Sequence, residues 1–306
     1  LRKGGDFLSK FYGDWQTLLR KKNFDAVISF LDSPNAYAEL ACLVSTGSFL
    51  IVSERSSHYG DKNRVFAFCK RLLHALADVV IVNSYSHACW LRRYPWLKKK
   101  VKTIYNGYRV HTGLLPKIII NSPVRFLVIG RVGPEKNGHR LIQALKLFHR
   151  KHHYVPPVCW AGKRDTSPAG VAYCKALDKQ LARLPEISES WSWLGERSDI
   201  PELLEQYSAV IHVSLYEGLP NVVCEAFISA RPVIVSAVCD HPLLVGEDVR
   251  GLLCNPLSPE SICQAIERFI ALMPEERQEM GLKARRFAEQ HLSLDQMLNE
   301  YEALLD

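Results

Sequence analysis

Two glutamates, Glu217 and Glu225, are the side chains of this sequence best placed to do chemistry, because they flank a turn between an apolar run and a helical pattern. Gly218 allows the backbone to approach a ligand closely, and Pro220 suits the first position of a helix. Free N–H groups at a helix start, together with the helix dipole, favour an anion such as a phosphate. The residues predicted to supply this backbone are Leu219, Asn221 and Val222.

The expected partners of Glu217 and Glu225 are hydroxyl groups, because carboxylates repel phosphates and accept hydrogen bonds from hydroxyls well. A sugar and a ribose carry such hydroxyls on the two sides of a diphosphate. Two glutamates considered alone would more often be solvated, or would stabilise the dipole of their helix. Gly218 and Pro220 between them shift the interpretation towards ligand binding.

A second candidate site follows the apolar run 126–129, where Gly130 opens a turn that leads into a helical pattern. Strand, glycine turn and helix form the phosphate-binding layout of doubly wound sheets. Arg131 can hold two phosphate oxygens and Lys136 supplies a point charge, so the pair is predicted to bind a diphosphate. Each cation alone would more often be a surface side chain. The glycines do not form G-x-G-x-x-G and no Walker Lys-Ser/Thr follows, which disfavours dinucleotide and P-loop sites.

Short apolar runs alternate with amphipathic stretches, a pattern typical of an α/β fold with parallel sheets. The predicted strands are 26–30, 49–52, 79–82 and 101–104 in the first part, and 124–129, 158–161, 192–194, 210–213, 233–235 and 252–254 in the second. Helices are predicted near 138–150, 170–183, 200–206 and 221–229, and along 259–306. Six strands in the second part make a complete doubly wound sheet.

The stretch 106–123 contains glycines and prolines without a helical period, which predicts a linker. We therefore expect a first domain at 1–110, a linker at 111–123, a second domain at 124–290 and a C-terminal helix at 291–306 that packs back on the first domain. The first domain has only four predicted strands and the sequence begins with Leu1. It is expected to be incomplete at its N-terminus.

The composition, with 306 residues, 47% of them hydrophobic, and a net charge of +7, excludes disorder, collagen and a small disulfide scaffold. The modest positive charge favours anionic partners, and no nucleic-acid module is recognisable. The nine cysteines form no C-x-x-C pair, so reduced thiols and no metal site are expected. No membrane span or secretory signal is readable, which predicts a cytoplasmic location.

Three segments in the second part resemble the retaining nucleotide-sugar glycosyltransferases of family four. They are Gly130-Arg131 with Glu135-Lys136, Glu217-x7-Glu225, and Arg231-Pro232 with the apolar run after it. The resemblance runs from about Phe24 to the C-terminus. In the first part, Ser53-Glu54-Arg55, Val82-Asn83-Ser84 and Ile104-Tyr105-Asn106-Gly107 are similar to bacterial members that build polysaccharides. The resemblance implies the GT-B architecture of two facing doubly wound, Rossmann-like domains, with the first one incomplete here.

The resemblance also implies an activity. It is the transfer of a sugar, with retention of configuration, from a nucleotide-diphosphate sugar, UDP-sugar favoured, to a glycan or lipid-linked saccharide acceptor. The setting would be the biosynthesis of polysaccharide, glycolipid or lipopolysaccharide, with no cofactor or metal. Arg131 and Lys136 would hold the diphosphate, Glu217 the sugar hydroxyls and Glu225 the ribose. The remaining donor-binding positions would be Gly130, the backbone of Gly218, Leu219, Pro220, Asn221 and Val222, and, near the base, Gly195 and Glu196.

The sequence departs from the family at Ala230, Cys239-Asp240 and Leu243, where a glycine, two glycines and an acidic residue are usual. These departures, with the short first domain, leave a non-catalytic nucleotide-sugar-binding protein as an alternative. A nicotinamide oxidoreductase is a weaker alternative, because the glycine fingerprint of dinucleotide sites is missing.

Residues 90–100 interleave aromatic and basic side chains. One interpretation is docking on an anionic membrane surface, on the inner face of the cytoplasmic membrane, where a lipid-linked acceptor would lie. The plainer interpretation is a solvated helix end that leads into the next strand.

Overall fold

The structure, a computed structural model, describes residues 24–43, 47–55, 64–110 and 123–306. These residues form two compact units, one drawn from Leu1–Asn106 and Met297–Asp306 and the other from Gly107–Gln296. Nearly all of the predicted linker, residues 111–122, lies outside the described residues. Each unit is an α/β structure with a parallel sheet.

The described part of the first unit contains a sheet of four parallel strands in chain order: β1 (Ala26–Phe30), β2 (Phe49–Glu54), β3 (Val79–Val82) and β4 (Val101–Thr103). Its helices are α1 (Asp32–Cys42), α2 (Arg64–Leu73) and α3 (Tyr85–Leu91). Successive strand residues point to opposite faces, so Leu50 and Val80 pack in one apolar cluster and Ile51 and Ile81 in another. Tyr301, near the C-terminus, packs in the second cluster.

A buried ionic cluster lies where β2 ends. Glu54 is 0% exposed, and its carboxylate pairs with Lys70 and lies 3.6 Å from Nη2 of Arg71, both of which belong to α2. Nε2 of His87, in α3, lies 3.1 Å from Oε2 of Glu54. Burial alone would raise the pKa of Glu54, but the hydrogen bond from His87 and the charges of Lys70, His87 and His74 outweigh it and hold the pKa well below its usual range.

The second unit contains a doubly wound sheet of six parallel strands in the order β10-β9-β8-β5-β6-β7. The strands are β5 (Phe126–Ile129), β6 (Val158–Ala161), β7 (Trp191–Gly195), β8 (Ala209–His212), β9 (Val233–Ser236) and β10 (Gly251–Cys254). The strand order reverses between β5 and β8. In such sheets ligands bind beyond the carboxyl ends of the strands at this reversal.

The helices of the second unit cover both faces of this sheet. They are α4 (Gly138–His152), α5 (Pro168–Ala182), α6 (Pro185–Ser188), α7 (Ile200–Leu204), α8 (Asn221–Ile228), α9 (His241–Val245), α10 (Pro259–Ala271), α11 (Pro274–His291) and α12 (Leu294–Glu302), which continues into the first unit. Leu141, Leu145 and Phe148 of α4 are buried, as their helical spacing predicts. No helix within the described ranges combines the length and the apolar character needed to cross a bilayer.

Each strand predicted from the sequence is present; 26–30, 79–82 and 158–161 match at both ends, and the others differ by one or two residues at one or both ends. The predicted strand 124–129 begins at Phe126, and 192–194 extends to Trp191–Gly195. The predicted helical tail 259–306 is divided into α10, α11 and α12. The α/β fold predicted from alternating patterns is therefore confirmed.

Candidate functional site

The two turns singled out in the sequence meet at the reversal of strand order in the second unit. The backbone N–H of Leu215, after β8, donates to the carbonyl of Glu135, after β5, at 2.8 Å. Nζ of Lys136 lies 2.6 Å from Oε1 of Glu217, and both side chains are mostly buried. The fold thus joins two sites that lie some eighty residues apart in the chain into one.

Gly130 shapes the first turn. Its φ of +136° lies in the region that L side chains rarely adopt, and a Cβ there would stand 3.2 Å from Cε of Lys136. The indole Nε1 of Trp160 donates to the carbonyl of Gly130 at 2.8 Å. A Cβ on Gly162 would come within 1.9 Å of the same carbonyl oxygen. The absence of a Cβ on Gly130 leaves the space in which the Lys136 side chain lies over the turn.

Asn137 anchors the turn to the rest of the sheet, a role that our sequence analysis missed. The residue is fully buried with a left-handed backbone at φ 61°, and Nδ2 donates to the carbonyls of Val213 at 3.0 Å and Pro256 at 2.7 Å. Asn is one of the few side chains that tolerate this backbone region. The Asn-Gly pair at 137–138 is the sequence signal that marks such a turn.

His212, the last residue of β8, was also missed. It is 2% exposed, and its Nε2 lies 2.9 Å from Oε1 of Glu217. Burial lowers the pKa of His212, so the ring is neutral at neutral pH. The one signal that could have indicated it is a polar residue at the end of an otherwise apolar run.

Glu217 is ionised at neutral pH. Burial alone would raise the pKa of its carboxyl, but the hydrogen bond from His212 and the ammonium of Lys136 hold the pKa well below its usual range. Its backbone N–H lies 3.3 Å from Sγ of Cys239. Cys239, where the family resemblance fails, therefore contacts the candidate site directly.

Glu225 lies in the second turn of α8 and is half-buried. Burial raises the pKa of its carboxyl. Within the described part of the chain no donor reaches this carboxylate, so it is open to accept hydrogen bonds from a ligand hydroxyl.

The prediction that Pro220 occupies the first position of the helix is wrong. The helix begins at Asn221, and Pro220 precedes it with ψ 86°, which is outside the helical range. The carbonyl of Pro220 accepts the N–H of Val223 at 2.9 Å, which forms the first turn. Oδ1 of Asn221 accepts from the hydroxyl of Tyr108 at 2.7 Å. Gly218 and Leu219 precede this helix start, and Val222 is the second residue of the helix.

Arg131 lies at the rim of the site, 58% exposed at its side chain. Its guanidinium is 2.9 Å from Glu135 and 3.7 Å from Asp165, and the hydrogen bond that it donates to Glu135 is the main reason that its pKa is raised. Gly195, at the end of β7, has a φ of +68°, and its carbonyl accepts the N–H of Gly162 at 2.7 Å. Gly195 and the exposed Glu196 thus lie at the same edge of the sheet, two strands from β5.

Residues 90–100, in the first unit, turn their aromatic rings towards the protein. Trp90, Tyr94 and Trp96 are half-buried against the apolar cluster that contains Leu50 and Val80. Nε1 of Trp96 donates to the carbonyl of Arg71 at 2.9 Å. The exposed cations of this segment are Arg93, Lys98 and Lys99. The aromatic rings are thus packed against the protein rather than solvated.

Groups of three or more His, Cys, Asp or Glu side chains that could hold a metal ion do not occur among the described residues.

Comparison with known proteins identifies relatives of this chain. The family model for glycosyl transferases group 1 matches residues 117–287, more than half of the sequence. Spore coat protein SA of Bacillus subtilis is 23% identical over 254 residues, which are 75% of this chain and 66% of that protein. The chain thus spans just under two thirds of the length of this relative.

A second relative is the UDP-Gal:alpha-D-GlcNAc-diphosphoundecaprenol alpha-1,3-galactosyltransferase of Escherichia coli, 26% identical over 144 residues, 47% of this chain and 35% of that protein. The crystal structure of Anabaena Alr3699/HepE in complex with UDP superposes with a TM-score of 0.80 at 20% identity, covering 96% of this chain and 81% of that one. This likeness shows a shared fold, the GT-B class predicted from the sequence.

Proposed function

Because the chain belongs to the glycosyl transferases group 1 family, we propose that it transfers a sugar from a nucleotide-diphosphate sugar to a glycan or lipid-linked saccharide. A UDP-sugar is the favoured donor, since UDP occupies the Anabaena structure that shares the fold. The observation that carries the proposal is the contact of Lys136 with Glu217 beside the start of α8, at the reversal of the sheet. It joins a cation, a hydroxyl-binding carboxylate and a helix N-terminus in one place.

The chemistry follows from these groups. As the sugar leaves, negative charge grows on the diphosphate, and fixed cations with a helix N-terminus stabilise that charge. Lys136 and Arg131 supply the cations, and Glu217 accepts hydrogen bonds from the sugar hydroxyls. We assign the ribose to Glu225, whose carboxylate is half-buried and open. Front-face attack with retention, as in family four, and independence of metal ions are parts of the proposal.

We further propose that the acceptor is lipid-linked and that the protein acts at the inner, anionic face of the cytoplasmic membrane, in polysaccharide or lipopolysaccharide biosynthesis. The Escherichia coli relative is named for a diphosphoundecaprenol acceptor. In the first unit, helix α2 reverses the usual amphipathic arrangement. Its cationic residues Lys70 and Arg71 are buried, whereas Phe68 and Leu72 are 49% and 53% exposed. These apolar side chains, with the exposed cations of residues 90–100, suit an anionic bilayer surface.

Calorimetric titration with UDP, GDP and ADP and their sugars tests the donor. We expect one nucleotide sugar to bind. We expect turnover to be lost in Glu217→Ala and Arg131→Ala. Turnover should be kept in the control Glu267→Gln, which alters a surface ion pair with Lys151. Chelation by EDTA is expected to leave turnover unchanged. If the folded protein binds none of these ligands, the proposal fails. Binding without turnover would instead establish the non-catalytic alternative.

A further inference from the structure

The carboxylate of Glu217 is held by one of its two oxygens. Nζ of Lys136, at 2.6 Å, and Nε2 of His212, at 2.9 Å, both reach Oε1. Among the described residues no side-chain or backbone donor reaches Oε2. One oxygen is therefore saturated by the protein, and the other is left to accept a hydrogen bond from a ligand.

We propose that His212 is a positioning residue for the donor sugar: its Nε2–H group fixes Oε1 of Glu217, so that Oε2 faces a sugar hydroxyl. This inference rests on the proposed function, in which Glu217 binds the sugar. His212 itself acts only through Glu217.

The contact with Lys136 alone would not hold the carboxylate during the reaction. In the proposed function Lys136 also serves the diphosphate, and an ammonium on a flexible stem moves between two anions. His212 is 2% exposed at the end of β8, and Oγ of Ser214 lies 3.2 Å from its Nε2. When the diphosphate attracts Lys136, the rigid His212 keeps Oε1 in place.

The protonation states agree with this role. A carboxylate only accepts, so Nε2 of His212 carries the hydrogen and donates it. The other titratable groups that face the pair are Lys136, Cys239 and His241. Burial raises the pKa of the Cys239 thiol, and burial is also the main reason that the pKa of His241 is lowered to about 3. At neutral pH the charges at this point are thus those of Lys136 and Glu217, and His212 is a neutral donor.

The test compares variants that remove the donor with one that retains it. His212→Leu and His212→Phe lose the N–H group, Phe keeping a ring of similar shape, whereas His212→Gln keeps an N–H donor. The matched control is His241→Leu, because His241 is equally buried and donates from Nδ1 to the carbonyl of Ser236 at 2.7 Å rather than to Glu217. Calorimetry measures the affinities for UDP and for whichever of UDP-glucose, UDP-galactose, UDP-N-acetylglucosamine, GDP-mannose and ADP-glucose the wild type binds.

Loss of a hydrogen bond to a charged group predicts that His212→Leu and His212→Phe bind the nucleotide sugar about ten- to a hundredfold more weakly, with the affinity for the nucleotide alone unchanged. His212→Gln is expected to recover most of the loss, and His241→Leu to leave the ratio of the two affinities at the wild-type value. NMR of ¹³C-labelled glutamate, assigned through Glu217→Gln, is expected to show a higher pKa of Glu217 in the Leu and Phe variants only.

An unchanged ratio of affinities in a folded Leu or Phe variant, or an unchanged pKa of Glu217, would overturn the role of His212. If the wild type binds no member of the panel, the proposed function fails, and the NMR titration still decides whether His212 controls the Glu217 carboxyl.

Discussion

Replacing the buried Glu54 by glutamine removes the negative charge on which the ionic cluster of the first unit depends. Lys70 keeps Asp32, 2.9 Å away, whereas the buried guanidinium of Arg71 loses the Glu54 carboxylate, which lies 3.6 Å from it. Removing one member of a buried ion pair typically costs about 3–5 kcal/mol, because an uncompensated charge stays buried. We expect Glu54→Gln to lower the free energy of unfolding of the first unit by about that amount.

Glu267→Gln is the matched control. Glu267 also pairs with a lysine and a histidine, Lys151 at 3.1 Å and His152 at 3.0 Å, but both partners are exposed. Water and salt screen such pairs, so the expected loss is within about 1 kcal/mol. The two variants make the same chemical change, one at a buried site and one at the surface.

Hydrogen exchange followed by mass spectrometry measures each effect in its own unit, through peptides from β2 and β3 for Glu54→Gln and from β10 for Glu267→Gln. A loss of about 4 kcal/mol corresponds to exchange about a thousandfold faster in β2 and β3, if they exchange by unfolding of the unit. Equal losses in Glu54→Gln and Glu267→Gln, or a loss below about 1 kcal/mol in Glu54→Gln, would refute the reasoning.

The pH dependence supplies a second check with a definite sign. The pKa of Glu54 is lowered in the folded state from its ordinary value of 4.5, so its stabilisation is fully present above pH 4.5 and is lost as the pH falls below that value. The stability difference between wild type and Glu54→Gln should therefore shrink on acidification below pH 4.5. A difference that grows there would contradict the assignment.

Three further predictions concern the site and the surface. Glu217→Gln should lower kcat/KM at least tenfold while the affinity for UDP, measured by calorimetry, stays within about twofold, because glutamine loses the charge that binds sugar hydroxyls. Gly162→Ala should destabilise the protein by more than about 2 kcal/mol in thermal unfolding, because its Cβ would lie 1.9 Å from the Gly130 carbonyl oxygen. Gly195→Ala, whose Cβ would meet no atom within 4 Å, should cost only about 1 kcal/mol for the positive φ of that residue. Phe68→Glu should reduce co-sedimentation with phosphatidylglycerol vesicles but leave the weak binding to phosphatidylcholine vesicles unchanged; equal binding by wild type and variant would exclude this surface.

The strands could be predicted because each one is a local pattern. Val79–Val82 and Phe126–Ile129 are continuous apolar runs, as expected of parallel strands covered on both faces. The positions of helix ends were predicted less accurately than those of strands. Pro220 suits a first helical position by its φ alone, but ψ at that residue is set by the turn that joins Glu217 to the helix, and local preference does not determine it.

The candidate site was predictable in part for the same reason. Glycine turns with a cation or a carboxylate are short patterns, and both turns could be found by reading along the chain. His212 and Asn137 were missed. Asn137 contacts Val213, 76 residues away, and the Asn-Gly pair marks a turn without revealing that contact. His212 lies only five residues before Glu217, but the turn that brings the two side chains together is not a local pattern. The cluster around Glu54 escaped notice too, since Lys70 and Arg71 in a helical pattern are ordinarily expected at the surface.

The sequence by itself determined the order of strands and helices, the two turns and the types of side chain they carry, because backbone preferences and hydrophobic periodicity act over a few residues. The tertiary structure alone decided that Lys136 contacts Glu217, that the carboxylate is held at Oε1, and that α2 buries its charges and exposes its apolar side chains. These outcomes depend on which strands become neighbours. Strand order is decided by the packing of the whole sheet, so no local pattern specifies it.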